Sequence, residues 1–88
     1  MKKINSDNKL TRIEWACRRG MLELDVLLGN FLNEAYAGLS VADQKLFVQL
    51  LDCTDPELFS WLMGKSTPND VSLAKITEMV RKHARTRI

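Results

Sequence analysis

A chain of 88 residues, 45% apolar and 27% charged, is long enough for one core and too short for two, so a single domain is expected. Its formal charge of +2 is too small to announce a nucleic-acid or membrane partner. No stretch approaches the ~20 apolar residues a membrane-crossing helix needs, and Met1 to Asn8 lack the apolar run of a signal peptide, so a cytoplasmic protein without membrane insertion is expected.

Residues 1–7 read as a flexible polar leader, and a first helix is expected near 8–18, capped by Asp7 or Asn8. Leu10, Ile13, Ala16 and Cys17 fall on one side of a 3.6-residue wheel, while Trp15 points roughly the other way. Arg18 and Arg19 then occupy the last turn, where cations suit the helix dipole, and Gly20 supplies the left-handed residue that closes the helix. A second helix over 21–37 carries the stripe Met21, Leu24, Leu28, Phe31, Leu32 and Ala35, with Glu23 and Asp25 near its start and Gly38 as its terminator. Two helices therefore abut at Gly20, and Trp15, both arginines and Glu23 share one surface unless another helix covers the tryptophan.

Ser40 opens a third helix over 41–53, with Asp43 as an acidic variant of the capping box and Leu46, Phe47, Leu50 and Leu51 as its apolar face. Asp55-Pro56-Glu57 reads as a cap, a proline at the first helical position and a first-turn acid, for a short helix over 56–63 that stops at Gly64. Leu58, Phe59, Trp61, Leu62 and Met63 surround that helix, so it must be largely buried or expose a sticky patch. Thr67-Pro68-Asn69-Asp70 repeats the same grammar and starts a last helix over 68–85, with Leu73, Ile76, Val80 and Ala84 as a narrow stripe. No segment alternates with a strand's period of two. The pattern predicts an all-α, compact five-helix bundle.

Chemistry is sparse along this chain. His83, the only histidine, lies far in sequence from Cys17 and Cys53, whose apolar neighbours suit buried reduced thiols. The cysteine spacing fits no zinc signature, and the four isolated glycines form no phosphate loop, so no catalytic residue, metal site or stably bound cofactor is expected. A helix, turn, helix arrangement suggests DNA only superficially, because Glu23 and Asp25 would face phosphates; no nucleic-acid partner is expected. Protein recognition remains. Facing helix ends alone would place Arg and Glu together, each worth about 0.3–1 kcal/mol, but they do not account for a Trp off the core stripe beside two arginines, the residue types enriched at binding hot spots.

These residues carry a resemblance. Arg19-Gly20-Met21-Leu22-Glu23, inside Trp15-Ala16-Cys17-Arg18-Arg19-Gly20-Met21, resembles the Arg-Gly-x-x-Glu signature of the bacterial succinate dehydrogenase assembly factor 2 family, also called the FAD assembly factor family. Leu50-Leu51-Asp52, Asp55-Pro56-Glu57-Leu58-Phe59 and Trp61-Leu62-Met63 extend it over roughly residues 10–63. The resemblance implies a monomeric five-helix protein that binds the flavoprotein subunit of succinate dehydrogenase, and of fumarate reductase, and promotes covalent attachment of FAD to a histidine of that partner. By position it makes Arg19, Gly20 and Glu23 contact residues, with Arg18 and Met21 as neighbours. Asp52, Asp55 and Trp61 match further recurring positions, although a capping role suffices for Asp55 and a core role for Trp61. An antitoxin-like interaction module is the runner-up. On the first reading, Arg19→Ala or Glu23→Ala leaves the fold nearly intact and removes partner binding.

Overall fold

The structure, a computed structural model, describes residues 4–86, with side chains from Leu10 onward. Five α-helices follow in order: α1 (Ile4–Ala16), α2 (Leu22–Glu34), α3 (Val41–Leu51), α4 (Asp55–Leu62) and α5 (Val71–Thr86), with one 3-10 turn, Tyr36–Gly38, between α2 and α3. No strand occurs among the described residues. The all-α class inferred from the helical period is the class the chain adopts.

Packing follows the apolar stripes. α5 lies across α2, α3 and α4, and α2 also meets α4. Leu24, Leu28 and Phe31 of α2, Phe47 and Leu50 of α3, Leu58 of α4 and Ile76 and Val80 of α5 are almost wholly buried, and Ile13 and Cys17 bring the end of α1 to the same core. Each fully buried Leu or Phe contributes about 1.5–3 kcal/mol, so the three from α2 outweigh the ~1 kcal/mol that Gly29 costs that helix. Phe31 is central: its ring centroid lies 5.2 Å from that of Phe47 and 5.5 Å from the edge-on ring of His83. His83 Nε2 is 3.0 Å from Glu34 Oε1. The lone histidine is thus placed by packing and one acidic neighbour.

Several boundaries differ from the sequence expectation, each for a local reason. Helical backbone is already present at Ile4, so residues 4–7 are not a leader and Asp7 and Asn8 lie inside α1 rather than capping it; residues 1–3 fall outside the described residues. Leu10 is 46% exposed, because α1 reaches the core only through its last turns. α2 ends at Glu34: Ala35 leaves helical backbone, the 3-10 turn replaces the expected last turn, and Tyr36 is buried against Phe47 at 5.8 Å. Gly38 therefore does not terminate α2. Ser40 does cap α3, accepting the Asp43 N–H at 3.1 Å, and that helix closes at Leu51 with Cys53 beyond it in the turn.

The caps of the last two helices shift by one residue and by three. Thr54, not Asp55, caps α4: its Oγ1 accepts the Glu57 N–H at 3.3 Å while Glu57 Oε1 accepts the Thr54 N–H at 3.0 Å, a reciprocal capping box. This releases the Asp55 carboxylate for another partner. α4 ends in a Schellman motif, with the Lys65 N–H on the Ser60 carbonyl at 2.8 Å, the Gly64 N–H on the Trp61 carbonyl at 3.1 Å, and Gly64 at φ +79°. Met63 is 39% exposed, so this short helix is not buried all round as expected. Asp70 rather than Thr67 caps α5, its Oδ1 accepting the Leu73 N–H at 3.0 Å, and Pro68 stays outside the helix.

Candidate functional site at the junction of α1 and α2

The chain leaves α1 at Ala16, earlier than the wheel suggests. The Cys17 N–H still reaches the Ile13 carbonyl at 3.1 Å and the Arg18 N–H the Trp15 carbonyl at 3.0 Å, after which regular helix is lost until Leu22. Gly20 has φ +83°, so the left-handed residue is present, but it turns the chain toward α2 instead of closing α1. Nothing lies within 4 Å of the position a Cβ would take there. The Gly20 turn is exposed and open.

Arg19 is the residue that departs most from expectation. Its side chain is 16% exposed. Nε donates to Asp55 Oδ1 at 2.8 Å, Nη1 to the carbonyls of Ala16 at 2.9 Å and Leu51 at 2.8 Å, and Nη2 to the Cys53 carbonyl at 2.7 Å. Four of the five guanidinium N–H groups are thereby used. Its backbone N–H donates to Asp25 Oδ1 at 2.6 Å. Arg19 faces the α3–α4 turn, not the solvent, and the reading of Asp55 as a cap gives way to its role as this arginine's acidic partner.

The neighbouring residues take the surface. Arg18 is exposed, and its Cζ lies 5.3 Å from the ring centroid of Trp15, a cation–π contact of about 0.5–1 kcal/mol at an exposed site. Trp15 is 65% exposed and no helix covers it. Glu23 is exposed in the first turn of α2 and makes no hydrogen bond or ion pair among the described residues. Met21, the residue before α2, is half-buried against the core; Asp52 is exposed at the end of α3. Trp61, read from sequence as core, is partly buried against it.

Sequence reasoning missed an apolar patch beside Glu23. Leu22 is 73% and Val26 47% exposed, and with Leu27 and Met63 they line a shallow depression that Glu23 borders. The available signal was the i, i+4 spacing of Leu22 and Val26, off the Leu24/Leu28/Phe31 stripe.

Neither cysteine is activated. Burial pushes the Cys17 thiol up to about 11, with Arg19 opposing the shift, and burial also raises Cys53, reinforced by Glu57 and Asp52. Both are free thiols. Among the described residues no three His, Cys, Asp or Glu groups come close enough to hold a metal ion.

The fold and this junction define a small helical module that presents an aromatic, a cation, an open glycine turn and an acid without a partner among the described residues, at exposed positions between Trp15 and Glu23. Residues 11–84 match the family model described as the flavinator of succinate dehydrogenase. The FAD assembly factor SdhE of Shewanella oneidensis is 51% identical over 75 residues, covering 85% of this chain and 92% of that protein. The proteins of the same name from Photorhabdus laumondii and Pseudomonas aeruginosa are 44% and 45% identical, covering 92% and 84% of this chain and 91% and 88% of their own lengths. The chain belongs to the succinate dehydrogenase flavinator family.

Proposed function

We propose that this chain is an FAD assembly factor that binds the flavoprotein subunit of succinate dehydrogenase and promotes covalent attachment of FAD to it. Family membership and the name its relatives carry support the activity. The observation that carries the placement of the site is Glu23, an exposed acid without a partner among the described residues, three residues beyond a glycine turn that leaves room for another backbone. In this reading Trp15, Arg18, Gly20, Met21 and Glu23 meet the flavoprotein, with Asp52 at the periphery.

The chain acts as an assembly factor and not as an enzyme. It works on conformation, holding the partner where the partner's own groups and flavin are correctly placed, and placement alone supplies several kcal/mol of a barrier. FAD is the group attached to the partner, and the factor itself holds no cofactor stably. The flavoprotein subunit of fumarate reductase is a second partner by the same chemistry, and the factor acts as a cytoplasmic monomer.

The test mixes the purified protein with apo flavoprotein subunit and FAD and follows covalent flavin by in-gel fluorescence, wild type beside Glu23→Ala. Faster flavinylation that depends on Glu23 is expected. If wild type neither binds the subunit nor changes the rate, the reading fails and an antitoxin-like or other interaction role moves ahead.

A further inference from the structure

We propose that Arg19 and Asp55 are positioning residues for the partner-binding surface: together they clamp the Arg19-Gly20-Met21 path to the α3–α4 turn and so set the orientation in which Gly20 and Glu23 meet the flavoprotein. The inference rests on the reading of that surface as the flavoprotein contact.

The geometry of the fork is what carries it. A guanidinium is a rigid plane with donors in fixed directions, whereas an ammonium is a single charged point. Here the acceptors come from two stretches more than thirty residues apart: the Ala16 carbonyl at the end of α1, and the α3–α4 turn, with the Leu51 and Cys53 carbonyls at the end of α3 and the Asp55 carboxylate at the start of α4. The same residue's backbone N–H is held by Asp25 of α2. Arg19 is thus tied to four of the five helices or their ends, immediately before the one junction residue with φ in the left-handed region.

That position matters because Gly20 offers no side chain by which the junction could be held. It has no neighbour within 4 Å of where one would begin. Its conformation is held from both sides, by the fork of Arg19 before it and by Met21 packed against the core after it. Released at Arg19, the junction gains the freedom that glycine permits, and a partner must remove that freedom on binding, which weakens the complex. A largely buried arginine with four donors already engaged gives a partner little to contact. Arg18, exposed beside Trp15, is the arginine a partner reaches.

A contact role and a positioning role predict different results for a charge-preserving change. The experiment measures affinity for the apo flavoprotein subunit for wild type, Arg19→Lys, Asp55→Ala, Arg19→Ala, the Arg19→Ala/Asp55→Ala double variant and Glu23→Ala, with amide hydrogen exchange of residues 18–23 in each free protein. Positioning predicts that Arg19→Lys and Asp55→Ala each weaken binding about tenfold, and that the double variant is no weaker than Arg19→Ala, as expected for residues in one network. Exchange at 18–23 accelerates in Arg19→Lys and Asp55→Ala by a larger factor than at the amides of α5, whose protection follows global stability; Glu23→Ala weakens binding with exchange unchanged. Wild-type affinity in Arg19→Lys overturns the proposal, as does accelerated exchange with no loss of affinity or an Asp55→Ala protein that matches wild type in both. Binding that needs Glu23 but tolerates the clamp variants removes this proposal alone; absence of wild-type binding removes the functional reading and the clamp's role with it.

Discussion

Arg19 Nε stands 2.8 Å from Asp55 Oδ1 across thirty-six positions of sequence, fastening the turn that precedes α2 to the start of α4. The ion pair is half exposed on the Asp55 side, where such pairs are worth little. Most of the stabilisation therefore lies in the three carbonyls that share the guanidinium.

Arg19→Ala is accordingly expected to destabilise the fold by about 2–3 kcal/mol, since it strands several partly buried acceptors. Arg18→Ala, on the exposed neighbour, stays within ~0.5 kcal/mol. Urea denaturation of the two variants checks this, and equal midpoints would show that the fork contributes no stability. The expectation from sequence that Arg19→Ala leaves the fold nearly intact is corrected by the same contacts.

Gly20→Ala tests backbone conformation in isolation. There is open space for the methyl group, so the cost comes from φ alone and is about 1–2 kcal/mol for an L-residue in the left-handed region. A D-alanine at the same position, introduced by chemical synthesis, should melt at or above the wild-type temperature. A drop for both residues would mean that crowding, not backbone angle, governs the site.

Gly64 presents the opposite case. It too has a left-handed φ, but a Cβ there would lie 3.0 Å from Arg81 Nη2, the end of a flexible side chain. Gly64→Ala should cost about 1–2 kcal/mol from φ, and adding Arg81→Ala should recover only the small steric part, leaving most of the loss in place. Thermal melts of the single and double variants separate the two contributions.

Cys17 makes stability depend on alkaline pH. Its folded thiol titrates near 11 against 9.0 for the ordinary group, because burial disfavours the thiolate. The folded state therefore holds its proton between those values while the unfolded state loses it, and stability is full below about pH 9 and falls as pH climbs toward 11. Denaturation midpoints across that window should decline more steeply for wild type than for Cys17→Ala; parallel curves would place the loss elsewhere.

Local pattern made the helical class and most of the core legible. Leu24, Leu28 and Phe31, or Phe47 and Leu50, recur at helical spacing, and burial enforces that spacing. The caps were less legible because adjacent residues could each serve: Thr54 and Asp55 both suit an N-cap, and the deciding factor was the reciprocal bond with Glu57. Arg18 and Arg19 were harder still. A wheel orders residues only while the helix continues, and α1 had ended at Ala16 before either arginine. Which of the two turned inward depended on carbonyls of Leu51 and Cys53, more than thirty residues away, and backbone oxygens carry no identity in a sequence.

Those two oxygens have a consequence for anyone redesigning the chain. A main-chain acceptor survives every substitution of the side chain attached to it, so the grip on the α3–α4 turn imposes a requirement on the shape of residues 51–53 and very little on their chemistry. Point exchanges at exposed Asp52 and half-buried Cys53 should be absorbed as long as the turn keeps its length, whereas Leu51 is constrained by its own burial in the core. Inserting or deleting a single residue, which moves the oxygens themselves, should release the fork even with every named amino acid still in place.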